Sequence, residues 1–254
     1  VLVSDIEATL RAAGCVFAEA EAAVLRAAAR SDEHLHELVG RRVAGRPLEH
    51  VVGFAEFCGR KIFVDPGVFV PRHRSEFLVR QAASRTREQG TVVDLCCGSG
   101  ALGAALAAIR DIDLYATDLD PAAVRSARRN LAPDRVFEGD LFQPLPQNLR
   151  GRVDTIIANV PYVPTDDIAL MPAEARIHEP RIALDGGSDG LDILRKVATE
   201  STFWLKPGGH ILSEISERQA PQAKTIVANH GLIANLATDN ETDATVVIGT
   251  TADP

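Results

Sequence analysis

The sequence predicts an α/β fold built on a mostly parallel sheet, with a small helical segment ahead of it. Two observations carry that expectation. From Thr91 the chain reads strand, glycine turn, helix, strand and helix, the pattern of a βαβα unit and hence of parallel strands. Before Arg46, apolar residues instead recur at helical spacing.

A length of 254 residues suits one large domain, or a large one with a small companion. Hydrophobic residues at 46% and charged residues at 24% describe a globular chain rather than a disordered one. With 27 basic and 35 acidic side chains the net charge is −8, so no overall field gathers nucleic acid or an anionic membrane surface. No apolar run approaches the ~18 residues of a membrane span. The first ten residues carry Asp5 and Glu7 where a secretory leader would be basic and then apolar. A start at Val1 rather than Met is expected of a trimmed N-terminus. Cys15, Cys58, Cys96 and Cys97 form no C-x-x-C pair, and adjacent Cys96 and Cys97 are poorly placed to bridge each other, which suits a reducing cytoplasm.

The elements follow in order. Ser4-x-x-Glu7 is a capping-box pattern, Ile6, Leu10 and Ala13 share a face, and Gly14 can end that helix in a left-handed conformation. A second helix spans about 17–30. Ser31 can cap a third, whose stripe of Leu35, Leu38, Val39 and Val43 stops at Gly45 and Pro47. Residues 51–70, rich in Val, Phe and Gly, suggest a hairpin. The expected division is a helical domain at 1–47, a linking hairpin region at 48–72 and the sheet domain at 73–254. Within the last, strands are expected at 91–95, 114–117, 153–158 and 210–214, with helices at 101–109, 121–130 and about 191–205. Asp120 would cap the helix that Pro121 opens, and 231–236 with 245–249 would close the sheet as a hairpin.

Gly98-Ser-Gly100-Ala-Leu-Gly103 matches G-x-G-x-x-G after a strand and at the start of a helix, with Asp118 following 118 − 98 = 20 residues on. Alone, this is a dinucleotide fingerprint, whose pyrophosphate wants an approach free of carboxylates. Asp94 stands where the loop begins. A carboxylate there repels pyrophosphate and attracts the ammonium and sulfonium of S-adenosylmethionine, so the electrostatics favour the methyl donor over a nicotinamide cofactor. Asp118 can accept both ribose hydroxyls, and Asp140 can meet the adenine amino group. Cys96, Leu119 and Leu141 beside them, together with Asn159 further along the chain, complete the expected cofactor-binding set. As alternatives, Asp118, Asp120 and Asp140 are caps and turn residues, and Gly98 and Gly100 form a purely structural turn.

Asn159-Val160-Pro161-Tyr162 puts a polar side chain at the end of an apolar strand, where open α/β sheets bind ligands. The Asn159 side-chain oxygen and the next carbonyl, that of Val160, can together accept two N–H bonds from a planar NH2 group. Pro161 stiffens the turn and Tyr162 offers a flat face. An amide or aromatic amine needs such positioning because its lone pair is delocalised, and no metal or covalent nucleophile is required. The alternative is a plain Asn-x-Pro turn. The seven histidines show no metal-ligand spacing, so no metal is expected. Cys97 reads as a packed residue rather than a nucleophile, and Arg72-His-Arg74 as either a solvated loop face or the rim of a site.

Several linked segments resemble the HemK/PrmC protein-glutamine methyltransferases. They are Arg46-Pro-Leu-Glu-His-Val-Val-Gly53, Phe57-x-Gly59, Val64-x-Pro66-Gly67-Val-Phe69-Val-Pro71-Arg72, Asp94-x-x-x-Gly98-Ser-Gly100, Asn159-Val-Pro-Tyr162, Glu179-Pro-Arg-Ile-Ala-Leu-x-Gly-Gly187-x-Asp-Gly190 and Leu205-Lys-Pro-Gly-Gly209. The resemblance implies a class I methyltransferase fold, a Rossmann-like, seven-stranded, mostly parallel sheet with a small N-terminal helical domain. It implies S-adenosylmethionine as donor, S-adenosylhomocysteine as product, and as acceptor the Gly-Gly-Gln glutamine of peptide-chain release factors, a protein substrate in the cytoplasm. By position, Asn159 and the Val160 carbonyl would hold the amide, Phe69 and Tyr162 would line the acceptor pocket, and Pro71 and Arg72 would adjoin it. The chain has Asn-Val-Pro-Tyr for the family's Asn-Pro-Pro-Tyr, Pro71-Arg-His-Arg74-Ser-Glu76 for its Pro-Arg-Pro-Glu-Thr-Glu, and an abbreviated stretch before Arg46. Retargeting to another protein or small acceptor is the first alternative. An adenine amino-methyltransferase would have to grip phosphates and flip a base, which a chain of this charge does not favour. A non-catalytic binding module is the remaining alternative.

Overall fold

A computed structural model describes residues 3–253. Three helices open the chain, α1 (Val3–Ala12), α2 (Ala18–Ala28) and α3 (Asp32–Val43). Gly14 is left-handed at φ +91°, and Ser31 Oγ accepts the His34 N–H at 3.1 Å as the cap of α3. The capping box read at Ser4 falls on a side chain outside the described residues. Leu10, Ala18, Ala22, Leu25 and Leu38 pack into a small core of their own. Inside it the Arg42 guanidinium grips Glu21 through two hydrogen bonds of 2.6 and 3.0 Å.

The hairpin expected over 51–70 is shorter. A helical turn, α4 (Leu48–Val52), ends at Gly53, and the hairpin is confined to β1 (Phe54–Phe57) and β2 (Arg60–Phe63). Cys58 and Gly59, at φ +49° and +66°, make its two-residue turn, the left-handed pair that matches strand twist.

The main domain runs α5 (Glu76–Ala83), β3 (Gly90–Leu95), α6 (Ala101–Ile109), β4 (Ile112–Asp118), α7 (Pro121–Ala127), β5 (Val136–Glu138), β6 (Val153–Ala158), α8 (Ala173–His178), α9 (Asp192–Trp204), β7 (Leu205–Ile215), α10 (Ala220–Asn229), β8 (Ile233–Asp239) and β9 (Ala244–Thr250). The seven strands lie in the order β5-β4-β3-β6-β7-β9-β8, parallel except for β9, which runs antiparallel to both neighbours. Period-two alternation sends Val93, Leu95, Ile156 and Ala158 to the face that packs Leu194, Val197 and Trp204 of α9. Val92, Ile157 and Leu212 go to the opposite face, against Leu78 of α5 and Leu106 of α6. Helix α7 stops short of the expected residue 130 because the Asn130 side chain bonds outward, to the Phe63 backbone and, at 2.8 Å, to the Ser99 carbonyl. It thereby ties the hairpin to the glycine turn.

Candidate active site

After β3 the chain moves to β4 on one side and later returns to β6 on the other, so a crevice opens beyond the C-terminal ends of β3 and β6. A single cavity there is lined by Cys96, Gly98, Asp118, Leu119, Asp140 and Leu141 together with Phe69, Pro71, Arg72, Asn159, Val160, Pro161 and Tyr162. Thus the residues singled out in the sequence meet, apart from Asp94 and Gly100, which do not line it.

Asp94 departs from its expected place. Alternation along β3 puts it on the face of Val92, beneath α6, where it is fully buried and its Oδ2 accepts the Gly103 N–H at 2.9 Å. It therefore braces the first turn of α6 rather than facing the cavity. Burial, reinforced by Asp118, pushes its carboxyl up to about 7, against a backbone hydrogen bond that lowers it, and Oδ1 has no partner among the described residues. Gly100 works from behind as well: at φ +76°, a Cβ there would lie 2.8 Å from Leu131.

Gly98, at φ +56°, faces open space where a Cβ would project, so the loop presents bare backbone to the cavity. Its N–H donates to Asp118 Oδ2 at 2.8 Å, while Asp118 Oδ1 takes the Asp120 N–H at 2.9 Å. Burial also raises the Asp118 carboxyl above its ordinary range. The loop amides of Gly98 and Gly103 are thus already held by carboxylates, an arrangement that suits a cation and disfavours pyrophosphate. Asp120 caps α7 through the Ala122 N–H at 2.8 Å. Leu119 is half exposed beside Asp118. Cys96 and Leu141 on the cavity wall hold left-handed backbone at φ +52° and +47°, a strain that the surrounding packing sustains.

On the other side, Asn159 ends β6. Its Nδ2 donates to Ser75 Oγ at 3.4 Å, and its buried Oδ1 has no partner among the described residues. Arg72 lies 4.9 Å from the centre of the Phe69 ring and bonds both oxygens of buried Glu179, at 2.6 and 2.7 Å. Arg74 also lines the cavity. It donates to the Tyr162 hydroxyl and, at 3.0 Å, to Glu214 Oε1, and that hydroxyl donates to the same oxygen at 2.8 Å. Burial beside the Glu214 carboxylate raises the Tyr162 hydroxyl, so it stays protonated. Ser75, Glu179, Glu214 and Gln219 were not singled out as site residues from the sequence. Glu179 had a signal in the Glu179-Pro-Arg segment and Ser75 in the Pro71-Arg-His-Arg74-Ser-Glu76 segment, while Glu214 and Gln219 had none. Among the described residues no three His, Cys, Asp or Glu side chains gather as a metal site, and no helix is long and apolar enough to cross a membrane.

Comparison with known proteins addresses the fold and the family. A family model for the methyltransferase small domain matches residues 59–190. Among solved structures, a methyltransferase from Pyrococcus furiosus matches with a TM-score of 0.58 at 18% identity, over 76% of this chain and 90% of that one. A chain of the E. cuniculi Mtq2–Trm112 complex, responsible for methylation of the eRF1 translation termination factor, gives 0.54 at 19% identity, over 74% and 99%. The sheet order, the glycine loop after β3 and these likenesses define a class I, Rossmann-like methyltransferase. Among curated relatives, a release factor glutamine methyltransferase of Streptomyces coelicolor is 38% identical over 77% of this chain and 72% of its own length. One of Geobacter sulfurreducens is 39% identical over 72% of this chain, a match that spans 65% of that relative. The chain belongs to the release factor glutamine methyltransferase family, the HemK/PrmC family that its motifs resemble.

Proposed function

We propose that this chain transfers a methyl group from S-adenosylmethionine to the side-chain amide nitrogen of glutamine in a protein, the Gly-Gly-Gln glutamine of a peptide-chain release factor. The observation that carries the reading is the buried, unpartnered Asn159 Oδ1, which shares one cavity with Asp118, Leu119 and the open backbone of Gly98. A buried acceptor without a donor costs about 1–3 kcal/mol, a cost that an arriving N–H relieves.

The donor, when bound, supplies an electrophilic methyl group on a sulfonium. The chain's own residues do the rest. Asp118 oxygens, each engaged by one backbone N–H, retain a lone pair for ribose hydroxyls. Leu119 gives an apolar surface for a base, and Asp140 an acceptor for an amino group. Cys96, Gly98 and Leu141 complete that wall, while Asp94 and Gly100 fix the loop from behind. The Asp118 carboxyl group on the cavity wall suits a cationic ligand. Asn159 Oδ1 and the Val160 carbonyl accept the two N–H bonds of the amide, and Pro161 holds the turn. As the nitrogen gains positive charge these hydrogen bonds strengthen, so they stabilise the transition state more than the ground state. Phe69, Pro71, Arg72 and Tyr162 form the acceptor wall. Residues 1–47 would serve as a separate docking unit for the protein partner, with 48–72 linking them to the catalytic domain at 73–254. Four free cysteines fit a cytoplasmic setting.

Incubation of a purified release factor with this protein and the donor, followed by peptide mass spectrometry, tests the reading. One methyl increment on the Gly-Gly-Gln glutamine is expected. An unmodified glutamine, with donor binding shown on the same sample, would mean a different acceptor.

A further inference from the structure

We infer, given the acceptor reading above, that Glu214 and Gln219 are positioning residues that clamp Tyr162 at both ends and so set the geometry of the acceptor turn. Strand β7 lies beside β6, with Ser213 paired to Ala158, so Glu214 stands just beyond the end of β6 where that turn begins. Its Oε1 takes the Tyr162 hydroxyl and the Arg74 guanidinium, and its Oε2 is buried without a partner among the described residues. A buried carboxylate so incompletely satisfied is a weak device for stability alone, since a well-packed apolar side chain often does as well there. Its geometric effect is definite: the ring of Tyr162 is fixed from behind while its face lines the cavity.

Gln219 holds the other end. Its Nε2 donates to the Tyr162 carbonyl at 2.9 Å and to the Asp189 carbonyl at 3.0 Å, while its Oε1 accepts from the Ser216 N–H and hydroxyl at 3.0 and 2.8 Å. Both donors and both acceptor sites of the amide are used, so the side chain has one orientation. The glycines opposite are pressed onto the same turn. A Cβ on Gly190 would lie 2.2 Å from the Tyr162 carbonyl oxygen, and one on Gly186 2.6 Å from that of Pro161. Asn159 and the Val160 carbonyl sit in the chain held by this clamp. Misplacing a reacting group by ~1 Å can cost on the order of a hundredfold in rate.

The test combines kinetics with a double-mutant cycle on the full-length chain, using a release factor as acceptor. Gln219→Leu and Glu214→Ala should each raise the acceptor KM and lower kcat, by about 10- to 100-fold in kcat/KM, with donor Kd unchanged. Glu214→Gln, which keeps an acceptor for the Tyr162 hydroxyl, should recover most of the loss. In a Tyr162→Phe, Arg74→Met background, which removes both groups that Glu214 holds at the cavity, Glu214→Ala should cost little more. Wild-type acceptor kinetics in Gln219→Leu and Glu214→Ala, or a loss that only follows donor affinity, overturns the clamp. A crystal structure of Gln219→Leu separates it from the functional reading. A displaced 159–162 turn supports the clamp even if the wild type proves to use another acceptor, and an unmoved turn refutes it.

Discussion

Asp118, Gly98 and Asn159 line one cavity, and the proposed function divides its work among them. Asp118 closes the glycine loop through the Gly98 N–H and also lines the cavity, so Asp118→Ala should weaken donor binding by at least tenfold, measured by titration calorimetry. An unchanged Kd would leave it a turn residue. Gly100→Ala meets both a positive φ and the Leu131 side chain, and should lower stability by about 1–3 kcal/mol in denaturant unfolding. Asp94 carries a pH signature. Its carboxyl lies near 7 in the folded chain against an ordinary value of 3.8, so between those values the folded state keeps a proton that the unfolded state has lost. Its contribution to stability therefore falls as pH rises from about 4 to about 7 and is level above. The Tm advantage of donor-free Asp94→Asn over the wild type should grow across that window and then stop growing. Equal differences at both ends of the window would contradict it. That Asn159 and Asp118 would line one cavity was legible because strand ends followed by polar residues mark a crevice in open α/β sheets. The direction of Asp94 followed from period two, but the charge argument had pointed it at the cavity. Glu214 and Gln219 carry no local signal, because their partner Tyr162 is more than fifty residues away and comes near only through strand pairing.

At the scale of elements, the helical region and the cavity are joined by a few polar contacts. His50, on α4, donates Nε2–H to the Val68 carbonyl at 2.8 Å, next to Phe69 on the cavity wall, and burial lowers its basicity so that it stays neutral. The pair of Arg42 and Glu21 locks α2 to α3, and Arg42 also reaches Glu174 on α8 at 3.4 Å. Arg42→Met should leave Glu21 buried and unpaired and cost about 3 kcal/mol, while the double change with Glu21→Leu should cost less. Thermal unfolding of the two variants beside the wild type checks this, and an equal loss in the double variant would show that the pair is not the cause. Helices with a cap or a stop, such as α3 between Ser31 and Gly45, were readable from sequence. Strand β5 was not, because three residues, Val136–Glu138, are too few to show alternation and depend on β4 for their bonds. Helix α10 was missed because alanines form much of its buried face, at Ala220 and Ala223, and give little apolar contrast. Helix α5 was missed because Phe77, Leu78 and Val79 run together without a helical rhythm.

For the whole molecule, one sheet brings two separate stretches of chain to a shared cavity, the glycine loop with Asp118 on one side and the turn after β6 on the other. The parallel order was readable from the alternation of strands and helices. The meeting of the two stretches followed from the rule that ligands bind beyond the carboxyl ends of strands where the order reverses. The central proposal is a division of labour: the glycine loop with Asp118 serves the donor, and the Asn159 side chain, though expected to adjoin the donor as well, acts chiefly on the acceptor. It is tested most directly by single-turnover methyl transfer from preloaded S-adenosylmethionine to a release factor, comparing the wild type with Asn159→Ala and measuring donor Kd on the same samples. The account predicts a rate lower by about a hundredfold with donor Kd changed no more than a few-fold. An unchanged rate, or a loss of donor binding as large as the loss of rate, would contradict it.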